Sequence, residues 1–199
     1  MSLSALASAA FGALVLAASV YGARGPAIAG WEQRVFHAIN GLPGWLFVPL
    51  WPVMQLGNLA VGTAFGLVVA WRAGEVAVAI GVAVAAGLKL VAERLIRQRI
   101  TTRLPARQRP GTSQTGAILR GDDVPSSGWS FPSGHAVLIA AITLVVAPVL
   151  PTGWELVPAA LTLGVMVGRV YVGAHNPLDV TSGAAAGLIV GGLVACLIP

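Results

Sequence analysis

The chain has 199 residues, of which 56% are hydrophobic and only 10% are charged, against roughly 25% charged in an ordinary soluble domain. So few charges cannot cover a water-facing surface, which excludes a soluble globular protein. The net charge of +5 does not indicate nucleic-acid binding either, because the basic residues bunch in one loop beside apolar segments instead of covering a solvated face. We therefore predict an integral membrane protein whose partners are the lipid bilayer and anionic lipid.

Six apolar segments approach the roughly 20 residues that cross a bilayer. They cover residues 3–21, 56–71, 76–89, 133–150, 157–172 and 177–198. The first segment is expected to be a retained span, because no basic residue precedes it as in a secretory signal. The predicted fold is thus all-α: a polytopic membrane protein with about six transmembrane helices in one bundle, forming a single domain over residues 1–199. The sequence leaves the oligomeric state open.

The connectors add detail to this bundle. Between the first two spans, Trp31, Val35, Phe36 and Ile39 recur at helical spacing, which predicts a short interfacial helix with its polar face, and an exposed His37, towards water. Pro49 and Pro52 precede the second span and predict a broken or kinked entry. Gly183, Gly187 and Gly191 repeat every fourth residue on the last span and predict close helix packing there. Cys196 is expected only to pack.

A single long polar loop, at about residues 98–132, joins the third span to the fourth. Loops of this length in compact proteins are usually functional or disordered. Two spans separate His135 from His175, so both histidines are predicted to lie on the same membrane face, together with this loop. Lys89, Arg109 and Arg169 can therefore converge with them.

The segment before the last span combines three groups with chemical potential, Arg169, His175 and Asp179. Asn176 followed by Pro177 predicts a helix start with Asn as its cap. Asp179, in the first turn, can accept a hydrogen bond from one imidazole nitrogen of His175, fix the tautomer and leave the other nitrogen as a nucleophile. The guanidinium fork of Arg169 can bind two phosphate oxygens.

The stretch Phe131-Pro132-Ser133-Gly134-His135 supplies complementary parts. Ser133 and Gly134 lie where a helix begins, and the free backbone N–H groups of such a helix end form an anion site. Gly134 lets the backbone approach the anion closely. His135 is then placed to protonate a leaving oxygen.

Together, Pro-Ser-Gly-His and Arg-x5-His-x3-Asp resemble the second and third signatures of the type 2 phosphatidic acid phosphatase (PAP2) superfamily. The resemblance covers about residues 89–187 and agrees with six helices. It implies that His175 is the nucleophile, that Asp179 orients it and that His135 is the general acid. It further implies that Ser133, Gly134 and Arg169 hold phosphate oxygens, with no metal and no cofactor.

The family's first signature, a lysine seven residues before Arg-Pro, matches only in part. Arg109 and Pro110 supply its end, but Thr102 occupies the lysine position. Lys89 is the only lysine of the chain and lies further upstream, where it could bind phosphate or form an i,i+4 pair with Glu93. The alternatives for this basic ligand are Arg94, Arg97 and Arg103. Elsewhere, Gly168 replaces the usual serine, and Asp122 and Asp123 are expected in a solvated turn.

These features predict metal-independent hydrolysis of a membrane lipid phosphate or pyrophosphate through a phosphohistidine. The substrate class comprises polyprenyl pyrophosphate, phosphatidic acid, phosphatidylglycerol phosphate and a prenyl-linked sugar phosphate. A non-enzymatic protein that binds, flips or transports anionic lipids is the alternative, and a vanadate-dependent oxidant is disfavoured by the membrane composition. We expect a cell-membrane location with the site on the extracytoplasmic face, although the positive-inside rule favours the opposite face.

Overall fold

A computed structural model describes residues 3–25, 27–100 and 107–198 of the chain, and most residues within these ranges are helical. The α-helices are α1 (Leu3–Gly22), α2 (Gly30–Asn40), α3 (Phe47–Gln55), α4 (Leu59–Ala73), α5 (Val76–Ile100), α6 (Pro110–Ser113), α7 (Gly134–Val146), α8 (Val157–Tyr171) and α9 (Pro177–Leu197). Short 3-10 helices at Gly44–Leu46 and Ala147–Val149 precede α3 and extend α7. These described ranges hold no β-strand.

The helices match the predicted spans one by one. By length and composition, α1, α5 and α9 can each cross a membrane, and the α3–α4 pair, bent by 66°, can form a fourth span. The helices α7, with its 3-10 extension, and α8 are shorter and are also apolar. The prediction of an all-α membrane bundle is therefore confirmed.

The last helix, α9, packs closely against α7 through the predicted glycines. A Cβ atom added to Gly183 or Gly187 would lie 2.4 Å from the carbonyl oxygen of Ser133 or Val137, respectively. Both contacts join residues 50 positions apart, so the two helices run parallel in a fixed register. Their N-termini consequently meet at the same end of the bundle.

The break between α3 and α4 lies further along the chain than predicted. We expected a straight helix from about Leu56, but α4 begins at Leu59, while Pro52 lies inside α3. The Asn58 side chain caps α4 by accepting from Ala60 N at 3.0 Å. Gly57 sits in the break against His135, where an added Cβ would lie 2.6 Å from the His135 Cβ. The bend therefore brings the chain against a predicted catalytic residue.

The predicted helix between the first two spans is present as α2, and His37 on it is exposed. The expectation that its polar face meets water is wrong for Glu32 and Asn40, which are almost fully buried. Asn40 donates to the carbonyl oxygens of Ile118 and Tyr171 at 2.8 and 2.9 Å. Glu32 Oε1 also accepts hydrogen bonds within the protein, from Arg107 Nη2 and Leu178 N, and these partners explain why both residues face inward.

The long polar segment begins later than predicted because α5 continues to Ile100. Its described part, from residue 107, includes α6 and covers the end of the bundle where α7 and α9 begin. Arg120 donates to Tyr171 O at 2.7 Å, and its guanidinium carbon lies 4.2 Å from the centre of the Tyr171 ring. These contacts hold the loop against the end of α8.

Substituting alanine for Gly187 should destabilise the protein, because the new methyl group meets the backbone of α7 at 2.4 Å. Overpacking of this kind costs about 1–3 kcal/mol. The matched control is Gly87→Ala on α5, where an added Cβ meets nothing within 4 Å. Thermal unfolding in detergent should show a lower Tm for Gly187→Ala only; equal Tm values would show that α7 and α9 are not in close contact.

Candidate active site

The N-termini of α7 and α9 are joined directly, since Ser133 N donates to Asp179 O at 2.9 Å. Beside this junction lies a cavity of about 340 Å³. Six of the eight predicted site residues line it: Lys89, Arg109, Gly134, His135, Arg169 and His175. The other two, Ser133 and Asp179, are fully buried. The structure thus brings together the residues of both motifs and the loop arginine.

His175 lies in the short connection between α8 and α9 and is buried. Its Nδ1 atom is 2.9 Å from the carbonyl oxygen of Ser130. A carbonyl oxygen can only accept a hydrogen bond, so this contact requires the proton on Nδ1. The Nε2 atom then carries the lone pair, as a nucleophile requires.

The predicted hydrogen bond between Asp179 and the His175 ring is wrong in this structure. Asp179 Oδ1 instead accepts from Arg107 Nε at 3.0 Å, and Oδ2 accepts from Asn176 N at 2.8 Å. The bond from Asn176 N to Asp179 Oδ2 is one half of a capping box at the start of α9. In the other half, the Asn176 side chain accepts from the backbone of Asp179. Asp179 therefore fixes the backbone beside His175, while the Ser130 carbonyl fixes its tautomer.

The surroundings of His175 keep its imidazole uncharged. Burial lowers the pKa of His175 well below its ordinary value, and the nearby cations Arg169 and Arg109 lower it further. Charging this ring would require a desolvated cation beside two guanidinium groups. The neutral form therefore persists at physiological pH.

Two buried donors suit an anion in the cavity. Within the described ranges, the Ser133 hydroxyl and Arg169 Nε are buried without a hydrogen-bond partner, although buried polar groups are normally paired. Gly134, the first residue of α7, has the Glu93 carboxylate against its Cα, where an added Cβ would lie 2.8 Å from Glu93 Oε2. Glycine at this position therefore leaves room for the Glu93 carboxylate beside the start of α7.

The cations differ in how they are held. Lys89 Nζ lies 2.8 Å from Glu93 Oε2, so the lysine both forms the predicted i,i+4 pair and lines the cavity. Arg109 donates to Ala174 O at 2.8 Å, next to His175. Among the alternatives to Lys89, Arg94 is exposed and does not line the cavity. The Arg97 side chain and Arg103 lie outside the described residues.

Several residues of the site were not predicted. Glu93 and Asp123 line the cavity, and so do four residues around the α3–α4 break, namely Gln55, Gly57, Asn58 and Leu59. The exposed Asp123 was assigned to a solvated turn, but it also borders the cavity that Arg169 lines. In the sequence, Gly57 and Asn58 have the residue types of a turn and a helix cap, which could have identified them. Nothing comparable in the sequence marks Arg107, which bonds to Asp179. No group of three or more metal-ligating side chains occurs in the described part of the chain.

This helical membrane bundle, with two histidines and several cations around one cavity, has the parts of a phosphoryl-transfer enzyme. Residues 74–199 match the family described as the PAP2 superfamily. Because the match covers more than half of the chain, the protein belongs to this superfamily. The sequence resemblance found in its motifs is thereby confirmed.

Relatives and solved structures agree with this assignment. Over 92 residues the chain is 39% identical to decaprenylphosphoryl-5-phosphoribose phosphatase of Mycobacterium tuberculosis, strains CDC 1551 and H37Rv. The matched segment covers 46% of this chain and 48% of that relative, so it spans about half the length of the curated proteins.

Two crystal structures share the fold. The PAP2-type phosphatidylglycerolphosphate phosphatase of Bacillus subtilis aligns with a TM-score of 0.64 at 19% identity, covering 97% of this chain and 94% of that one. LpxE of Aquifex aeolicus aligns with a TM-score of 0.62 at 20% identity, covering 81% and 92%. At these identities the likeness concerns the fold alone.

The lowered pKa of His175 predicts how stability depends on pH. Below a pH of about 6.5, the ordinary pKa of histidine, His175 binds a proton in the unfolded state but stays neutral in the folded state. Acidification therefore lowers the free energy of unfolding by at most about 1.4 kcal/mol per pH unit. Between pH 7 and 5, wild-type protein should lose more stability than His175→Asn, as measured by Tm in detergent. A slope as steep in the variant would contradict a neutral buried His175.

Proposed function

We propose that this protein is a lipid phosphatase that hydrolyses a phosphate or pyrophosphate ester through a phosphohistidine on His175. The observation that carries the proposal is the single cavity that His135 and His175 share with Arg169, Arg109 and Lys89. An anion is the ligand that such a set of cations and helix-start amides stabilises.

In the first step, His175 Nε2 attacks phosphorus in line with the leaving oxygen. A P–N bond forms while the P–O bond to the lipid breaks, and the proton on His175 Nδ1 stays hydrogen-bonded to Ser130 O. His135 gives its proton to the departing oxygen. The bound phosphate anion itself favours the protonated state of His135 before this step.

The negative charge on the equatorial oxygens needs donors that are already in place. Arg169 and the Ser133 hydroxyl supply buried donors, and the amide at Gly134 supplies a helix-start donor. Arg109 and Lys89 add positive charge from the loop and from α5. Prearranged donors of this kind stabilise the transition state without reorganisation.

In the second step, water attacks the phosphohistidine. His135, which is now neutral, accepts a proton from that water as the P–O bond forms and the P–N bond breaks. Inorganic phosphate leaves, and His175 returns to its Nδ1-protonated neutral form. No redox change occurs in either step.

A lipid substrate is supported by the surroundings of the cavity. Leu59 lines both the cavity and a second, apolar space of about 450 Å³ between α4 and α5. This space can accept hydrocarbon next to the phosphate. The named relatives are phosphatases of decaprenylphosphoryl-5-phosphoribose and phosphatidylglycerolphosphate. We propose the same broad class here: polyprenyl pyrophosphate, phosphatidic acid, phosphatidylglycerol phosphate or a prenyl-linked sugar phosphate.

A panel of these four lipids in detergent with EDTA tests the activity through release of inorganic phosphate. Wild-type protein should turn over at least one lipid, and His175→Asn should lower kcat by at least about 10³-fold because it removes the nucleophile. His37→Asn is the matched control, since His37 is exposed and lies outside the cavity. Near-normal turnover by His175→Asn would reject the scheme. Wild-type binding of the lipids without phosphate release would instead support a non-enzymatic lipid binder.

We further propose that the cavity faces the extracytoplasmic side of the cell membrane. In this proposal Arg109 serves the phosphate, and Arg107 is paired with carboxylates inside the protein, which makes these arginines poor markers of orientation. Ser127, which is exposed in the same loop, can be replaced by cysteine in a Cys196→Ala background. An impermeant thiol reagent should label Ser127→Cys in intact cells. Labelling only after the cells are permeabilised would place the site on the cytoplasmic side.

A further inference from the structure

We propose that Arg107 is a positioning residue that holds His175 in its attacking orientation, as the centre of a buried clamp formed by Glu32, Arg107 and Asp179. This inference rests on the proposed phosphohistidine mechanism. None of the three side chains lines the cavity, so the clamp acts through the residues that carry His175.

The side chain of Arg107 fixes the backbone of the nucleophile. Its Nε donates to Asp179 Oδ1 at 3.0 Å, and Asp179 Oδ2 accepts from Asn176 N at 2.8 Å. Asn176 directly follows His175. The carboxylate is thus held between the guanidinium and the peptide that leads out of His175.

The main chain of Arg107 fixes the ring of the nucleophile. Arg107 O accepts from Ser130 N at 3.0 Å and from Ser130 Oγ at 3.2 Å. The carbonyl of Ser130 accepts from His175 Nδ1 at 2.9 Å. One residue therefore supports both the backbone and the tautomer of His175.

Glu32 anchors this arrangement to α2. Its Oε1 accepts from Arg107 Nη2 and also from Leu178 N, the latter at 2.9 Å. Leu178 lies in the first turn of α9, where backbone amides lack helical partners. The rigid guanidinium fork reaches two carboxylates at once, which the single ammonium group of lysine cannot reproduce.

The burial of these charges favours a geometric role over a stabilising one. The Glu32 and Asp179 side chains are fully buried and that of Arg107 is 5% exposed. Burial tends to lower the pKa of Arg107, but Asp179 and Glu32 outweigh it and raise the pKa, so the guanidinium stays charged. Well-packed apolar residues often stabilise a core as well as a buried ion pair does. We therefore assign to the clamp the role of fixing the position of the His175 backbone and ring.

The kinetic test uses Arg107→Lys, with Arg120→Lys as the matched control, because Arg120 also ties the loop to a backbone carbonyl but takes no part in the clamp. Displacement of a reacting group by about 1 Å costs about 10²-fold in rate. We expect Arg107→Lys to lower kcat by about 10–100-fold with KM within about twofold, and Arg120→Lys to retain wild-type values. A rise in KM at unchanged kcat would overturn the proposal.

Glu32 supplies a second pair of variants, which also covers failure of Arg107→Lys to fold. In Glu32→Gln the amide oxygen can still accept from Arg107 and Leu178, so kcat should stay within about threefold of wild type. Glu32→Leu removes the acceptor and should lower kcat as strongly as Arg107→Lys. Equal kcat values for Glu32→Gln and Glu32→Leu would overturn the proposal.

The position of the proton on His175 can be read without turnover, by NMR of ¹⁵N-histidine-labelled protein. The chain has three histidines, so the His175 signals are assigned by their loss in His175→Asn. Wild type should show a protonated Nδ1 and an unprotonated Nε2. In Arg107→Lys and Glu32→Leu the His175 backbone loses its support through Asp179, so the contact between Nδ1 and the Ser130 carbonyl should lengthen and give mixed tautomers. Reduced kcat with an unchanged tautomer signal would mean a merely structural role and overturn the clamp. A wild-type protein that releases no phosphate would refute the proposed function, while the NMR signals still test the clamp.

Discussion

The site depends on the close parallel packing of α7 and α9. Gly183 and Gly187 bring the backbone of α9 against the carbonyl groups of Ser133 and Val137, and the parallel register places both helix starts side by side. The positive ends of two helix dipoles therefore lie together at the end of the bundle, which is unfavourable in isolation but favourable around an anion. Packing inside the membrane segment and the proposed anion site at its end thus depend on the same contact.

Around this junction the polar residues form two layers with different tasks. Arg169, His135 and His175 line the cavity, where charge can meet a phosphate. Behind them, Arg107 and Asp179 are buried and bonded to one another. Buried polar groups in a membrane protein are costly and mark functional sites. Arg107 and Asp179 offset that cost with hydrogen bonds inside the protein. The side chains that line the cavity remain available to a ligand.

The helices could be predicted because apolar length and caps are local properties, as at Asn176. The two motifs identified four of the residues that line the cavity, namely Gly134, His135, Arg169 and His175. Contacts between distant segments could not be predicted. The Ser130 carbonyl takes the role expected of Asp179, since any backbone carbonyl can accept from an imidazole. Glu32 seemed to face water because its partner, Arg107, lies 75 residues away. The α3–α4 break lies at Gly57, against His135, and not at the prolines, because Pro52 is accommodated inside α3.

The central claim is that His175 becomes covalently phosphorylated. The most direct measurement is rapid acid-free quenching of wild-type protein mixed with a ³²P-labelled lipid substrate, followed by mapping of the labelled peptide under alkaline conditions, where phosphohistidine is stable. The account predicts an alkali-stable, acid-labile phosphate on His175 in the wild-type protein, and no such label in His175→Asn. Label on another residue, or phosphate release with no covalent label in the wild-type protein, would contradict it.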